Sequence, residues 1–152
     1  MLSYMAEGSG MRAVYRRAIL RPLEESPMPS PETVERFIAR VEANAHAEAC
    51  EEFYTEDSTM QENQQAPRRG RDAHVANEHR VMGRARKVES RCVRPVFVSG
   101  NHVVIHWIFD FEWLDGSKTH MEELACQRWE GERIAEETFF YDPAQRAPKP
   151  RS

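Results

Sequence analysis

From residue 30 onward the chain switches between two hydrophobic periods. Val34, Phe37, Ile38, Val41 and Ala45 recur at helical spacing, and Ser30-Pro31-Glu32 ahead of them supplies an N-cap, a first-turn proline and a dipole-favoured acid. This predicts an amphipathic helix over roughly 31–44. A second, shorter helix, 46–54, would carry Ala49, Cys50 and Phe53 inward, and STMQENQ, 58–64, alternates weakly, as a short strand would. The loop APRRGRD, 66–72, holds Pro67 and Gly70 and ends at Asp72, a candidate N-cap for a third helix reaching Val81. Period two then takes over. VESRCVRPVFVS and HVVIHWIFDFEW flank Gly100-Asn101, a hairpin turn signal; Asp115-Gly116 and Gly131-Glu132 mark two further turns. Three helices and a short strand followed by four long antiparallel strands is an α+β arrangement, a curved antiparallel sheet whose apolar face closes over the N-terminal helices.

Turn geometry carries the reading to register. If each turn has two residues, Ser99 faces His102, and Cys92, Arg94 and Arg91 stand opposite Phe109, Trp107 and Asp110. One face then collects Trp107, Phe109, Phe111 and Trp113 with Val88, Val96 and Val98, followed by His120, Glu122, Leu124 and Cys126, then Glu137, Phe139 and Tyr141. The other face collects Val93, Phe97, Ile108, Met121, Ala125, Trp129, Ile134 and Phe140 among Arg91, Asp110, Glu123 and Gln127. A β-bulge would exchange faces beyond it and put Glu123 in the place of Glu122.

Composition narrows the partners. With 40% hydrophobic and 30% charged residues the chain is globular, and a net charge of -4 argues against a phosphate-binding surface, so nucleic acid is not expected. No apolar run is long enough for a bilayer span, no secretory signal pattern opens the chain, and a cytoplasmic location is the default. Cys50, Cys92 and Cys126 lack C-x-x-C spacing and read as free thiols, and the histidines show no metal-ligand spacing. Residues 1–27 carry Gly8, Gly10 and a basic patch at Arg12, Arg16, Arg17 and Arg21, which reads as a flexible extension adding little core; 28–146 form one domain and 147–152 a tail.

The helix ending EEFYTED, the segment MQENQQAPRRGRDAHVANEH and above all EELACQRWEGERIAEETFFYDP resemble the SnoaL-like branch of the nuclear transport factor 2-like superfamily over about residues 30–145. The resemblance implies a bent sheet around a conical pocket and pairing of two copies through the sheet's outer face. It also implies a range of activities, including cyclases, an isomerase, dehydratases and epoxide hydrolases, alongside members without one. The fold alone does not choose among them.

The residues themselves point to chemistry. An acid on an apolar strand face must pair, shift its pKa or meet a cavity. With Glu137 or Glu122 as base, Tyr141 as hydrogen-bond donor and Trp107 and Phe109 as walls, the expected reaction is cofactor-free proton transfer on a small apolar molecule. Tyr54, Asn63 and Glu78 would reach the same mouth from the helical side, with Glu123 the alternative to Glu122. In the opposing reading the rings are only core, and Glu137 is half of a buried ion pair with Arg94 or Arg128 in a binding or dimerisation module. An apolar outer face centred on Ile108, Met121, Trp129 and Phe140 supports the expectation of a homodimer.

Overall fold

The computed structural model describes residues 28–150, so the expectations for residues 1–27 lie outside the described part. The elements are α1 (Pro31–Glu42), α2 (His46–Phe53), β1 (Tyr54–Glu62), β2 (Arg68–Arg69), α3 (Arg71–Met82), β3 (Ala85–Ser99), β4 (His102–Trp113), β5 (Lys118–Glu130) and β6 (Arg133–Phe140), closed by a 3-10 turn at Pro143–Arg146. The six strands lie in the order β2-β1-β6-β5-β4-β3, a curved, unclosed sheet with the helices against it. One pairing departs from the antiparallel expectation. β1 runs parallel to β6, which makes the sheet mixed.

Local chemistry sets the helical layer. Ser30 Oγ accepts from the Thr33 N–H at 3.2 Å with Pro31 in the first turn, as expected. Glu132, in the β5–β6 turn, accepts from the Ser30 N–H at 2.9 Å and pins that helix start to the sheet. The inward stripe of α1 is Val34, Phe37, Ile38 and Val41. Phe37 is its hub: its ring meets Phe53, Tyr54 and Trp129 edge-on at centroid distances of 5.5, 6.2 and 6.2 Å. α3 starts one residue before the expected cap. Gly70, at φ 101°, occupies the N-cap position, a left-handed backbone that glycine adopts without steric cost, and Asp72 falls in the first turn.

The register departs from the two-residue turns at four places, one of them a one-residue shift between Ala85 and Lys87 at the start of β3. In β3, Ser99 faces His102 as expected, but Pro95, which lacks an N–H, lies within an irregularity that leaves Cys92 opposite Trp107 and Arg91 opposite Ile108. That slip is even, so Cys92 keeps its face. The β4–β5 turn is one residue longer than expected, closing with Trp113 N–H on Ser117 O at 2.9 Å, so Trp107 pairs with Glu123 and Phe109 with Met121. A bulge between Arg128 and Trp129 then cancels that slip, and Gln127 pairs with Glu137. Two odd errors offset each other. Glu137 and Phe139 stay on the ring face, while between the two slips the assignments of β5 exchange.

Met121, Glu123, Ala125, Gln127 and Trp129 therefore face inward, and His120, Glu122, Leu124 and Cys126 face outward. Trp129 and Ala125 are fully buried, which corrects their expected place on the outer face, and Ile134 joins them in the core. Asp110 meets His120 at 2.6 Å rather than Arg91. At the far end, Lys149 exchanges backbone hydrogen bonds with Lys118, at the start of β5 where β6 does not reach.

Candidate functional site

The inward face of β4 carries a continuous file of rings. Trp107 stacks on Phe109 at 5.6 Å, Phe109 meets Phe111 at 6.3 Å, and Phe111 stacks on Trp113 at 4.9 Å, with interplanar angles of 25°, 38° and 1°. Trp107 is buried in the core, whereas Phe109 and Phe111 are half-buried. The file lines a cavity of about 180 Å³ that reaches from Trp107 and Phe109 to Tyr54, Met60, Glu123 and Glu137. It adjoins a wider cleft of about 730 Å³ sharing Met60, Glu62, Arg68, Phe111 and Arg146.

Glu137 lies at the base of this cavity and is 2% exposed. Its carboxyl group meets only neutral donors: the Tyr54 hydroxyl donates to Oε2, and Gln127 Nε2 donates to Oε1 at 2.7 Å. Gln127 is itself oriented, because its Oε1 accepts from Trp129 Nε1–H at 3.0 Å. Loss of hydration raises the Glu137 pKa to about 7 against the lowering effect of both donors, and Glu78 and Glu62 push it further upward. Burial likewise raises the Tyr54 hydroxyl well above the ordinary phenol range, with Glu137 adding to the effect. The reason Tyr54 reaches the acid is local. α2 ends at Phe53 and Tyr54 is already extended, at φ -107° and ψ 149°, so the chain enters β1 with the phenol inward.

Glu123 stands directly across from Trp107 and is 9% exposed, with no hydrogen-bond or ion-pair partner among the described residues. Burial raises its pKa to about 8, reinforced by Glu62 and Glu137 and opposed by Arg146. Arg68 reaches the cavity from β2. Its Nε donates to His74 Nδ1 and its Nη2 to Met60 Sδ, both at 3.2 Å. Fully buried His74 donates from Nε2 to Ser58 O at 3.1 Å, which fixes its neutral tautomer, and burial and Arg68 lower its pKa.

The expected site residues divide. Glu137, Glu123, Tyr54, Glu78, Trp107 and Phe109 converge on the cavity. Glu122 does not: it is exposed on the outer face and hydrogen-bonds His106 Nε2 at 2.7 Å. Tyr141 stands outside the cavity lining, its ring under Arg146 at 5.2 Å; burial and a hydrogen bond with Glu62 raise its pKa. Asn63, at φ 49°, accepts from the Tyr141 N–H at 3.1 Å and shapes the turn after β1. Alternation puts Gln127 on the outer face and does not bring in Arg68, yet the first donates to Glu137 and the second lines the cavity. Gln127 sits four positions after Glu123, so one corrected slip brings both in together.

The opposing ion-pair reading required Arg94 or Arg128 on Glu137. Instead Arg94 makes a two-pronged contact with Glu35 at 2.7 and 2.6 Å, and Arg128 binds Glu136 and Glu130 at 2.9 and 3.0 Å, all away from the cavity.

A mixed sheet bent over three helices around a hollow lined by rings and acids defines the ketosteroid isomerase-like, nuclear transport factor 2-like class. Residues 34–137 match the SnoaL-like domain family, and the chain belongs to it. Among solved structures it is similar to a protein of ketosteroid isomerase-like fold from Catenulispora acidiphila DSM 44928 in complex with trimethylamine, at 18% identity over 76% of this chain and 89% of that one, TM-score 0.64. It is also similar to an LEH-like epoxide hydrolase of M. tuberculosis, at 15% identity over 75% and 83%, TM-score 0.62. A third is an NTF2-like protein of unknown function from Burkholderia pseudomallei, at 13% identity over 75% and 91%, TM-score 0.64. No curated protein matches the sequence.

Glu123 yields a stability prediction with a definite sign. Its pKa rises from 4.5 to about 8 on folding, so the folded state binds the extra proton and wild-type stability falls as pH climbs through that window. Glu123→Gln has no such loss. Urea denaturation should find the variant level with wild type near the bottom of that window and ~2–4 kcal/mol more stable at its top. A variant less stable at every pH would show that the Glu123 carboxylate is paired.

Proposed function

We propose that this SnoaL-like protein is a cofactor-free acid/base enzyme acting on a small molecule. The observation that carries the reading is the state of Glu137, a carboxyl group removed from water, without a cationic partner, poised near neutrality and facing a cavity. Such a group exists half ionised at neutral pH, where it can take a proton from carbon next to a carbonyl and return it elsewhere. Tyr54 and Gln127 each use one lone pair of the carboxyl, hold its plane, and leave the remaining lone pairs for the substrate.

Arg68 is suited to the developing oxyanion. Met60 pairs with Arg68 on one side and Glu137 on the other, so the two residues are two strands apart, about 10 Å at the backbone. Both side chains converge on the cavity, and the guanidinium's tie to His74 presets its direction. The epoxide hydrolase among the neighbours and the trimethylamine complex support small-molecule use of this fold.

We also propose a homodimer through the outer sheet face. Its supporting feature is Leu124 paired with Phe140, 44% and 43% exposed, beside Ile108, in place of Met121 and Trp129, which face inward. Leu124→Glu should yield monomers in sedimentation equilibrium, and a parent that is itself monomeric would contradict the proposal.

The acid/base reading is tested by incubating the protein with a panel of small ketones in deuterium oxide and following exchange at the carbons next to the carbonyl by NMR. Exchange should rise with pH through about 7, as Glu137 ionises, and fall at least ~100-fold in Glu137→Gln. Absence of exchange across the panel, or exchange undiminished in that variant, would overturn it.

A further inference from the structure

The cavity is electrically lopsided. Glu62, Glu78, Glu123 and Glu137 line it against Arg68, Arg146 and His46. Each of those bases is already engaged. Arg146 stands 2.9 Å from Glu62, Arg68 is tied to His74 and Met60, and His46 donates to Ser90 Oγ at 2.9 Å with Glu78 3.6 Å from its other nitrogen. Glu123 alone of the four acids is nine-tenths buried without any partner among the described residues, although it faces the cavity. Its neighbours feel the imbalance: after burial, nearby acids are the next cause raising the Cys50 and Tyr54 pKa values, Glu78 first for one and Glu137 for the other.

Arg68 and Glu123 also define a direction across the cavity. Across the sheet, Arg68 lies on β2, Glu137 on β6, and Glu123 on β5 against Trp107 of β4. Arg68 thus marks the β2 side of the cavity and Glu123 the β5–β4 side, where the His46 ring meets Phe109 at 5.6 Å and Arg146 lowers the Glu123 pKa.

We propose that the Glu123 end of the cavity binds a small organic cation, an ammonium group on a short alkyl body, with Glu123 as counter-ion and Trp107 and Phe109 as the seat for the alkyl groups. The inference rests on the acid/base reading and names the charge class of its substrate, a molecule whose ammonium lies towards Glu123 and whose oxygen lies towards Arg68. The physical reason is compensation. A buried carboxylate without a partner is strongly disfavoured, and a bound cation supplies the missing partner, whereas a neutral or anionic ligand of equal size does not. A cavity of about 180 Å³ limits the occupant to a few heavy atoms. Binding carries a signature. The cation favours ionised Glu123, so near neutral pH its entry sends a proton to the buffer.

Isothermal titration calorimetry of the full chain near neutral pH tests this without any turnover. The ligands are tetramethylammonium, tert-butyl alcohol as a neutral shape match and pivalate as an anion, each in two buffers of different ionisation enthalpy. Tetramethylammonium should bind at least ~10-fold tighter than either and release a proton, seen as a buffer-dependent heat. Glu123→Gln, expected to fold at least as stably as the parent, should lose ~10-fold in affinity and the proton release together. Equal or tighter binding of the alcohol or pivalate, no binding of the cation, or cation binding unchanged in Glu123→Gln would overturn the inference. Because these measurements involve no proton abstraction from carbon, they can fail while ketone exchange succeeds, and the reverse.

Discussion

The Glu137 carboxyl group is held out of water by neutral hydrogen-bond donors alone, and the layout of the molecule follows from that contact. Its two oxygens join the start of β1, through Tyr54, to the middle of β5, through Gln127. Gln127 passes the connection on to Trp129, and Trp129 packs edge-on against Phe37 of α1. A polar chain three side chains long thus runs from the floor of the cavity into the helix–sheet core. Each member constrains the next, since a buried polar atom left without its partner costs more than the bond itself contributes. This explains why a sheet face with so many rings does not collapse into plain core: the acid must be reached by its donors and approached by solvent or ligand from the open side.

Charge follows the same plan. The arginines that could have neutralised Glu137 are engaged elsewhere, Arg94 with Glu35 and Arg128 with Glu136 and Glu130, on surfaces where such pairs add little stability. Of the bases that line the cavity, Arg68 is separated from Glu137 by the width of Met60's strand and turned towards His74, Arg146 stands on Glu62, and His46 lies between Ser90 and Glu78. Burial first, and the neighbouring acids after it, keep Glu123 and Glu137 close to the pH at which proton transfer is reversible. Keeping acids in that state lowers stability at neutral pH, a cost commonly met at functional sites.

The helices, the three hairpin turns and the ring face of β4 were legible because each rests on a local rule, a cap, a glycine turn or strict alternation. Glu137 was legible for a weaker reason. The three-residue turn after Trp113 and the bulge beside Trp129 are both odd slips, and they cancel before β6. Between them alternation exchanges the faces of β5, which puts Glu122 in the place of Glu123 and sends Trp129 and Gln127 to the outer face. The parallel β1–β6 pairing was hidden for a different cause: β1 and β6 are far apart in sequence, and no turn between them announces their direction. Tyr54 reaches Glu137 across that pairing, so the sequence places this phenol at the mouth of the pocket but not on the acid itself.

The most direct test of the whole arrangement is the titration of Glu137 itself, followed by carboxyl carbon-13 NMR of glutamate-labelled protein and assigned with Glu137→Gln. A desolvated acid held by Tyr54 and Gln127 should show its midpoint at about 7, with the signal moving to a lower value if the cavity is opened to water by Trp107→Ala. A midpoint at or below the ordinary 4.5 would mean that Glu137 is hydrated or paired with a cation, and the account of this cavity as an acid/base site would be wrong.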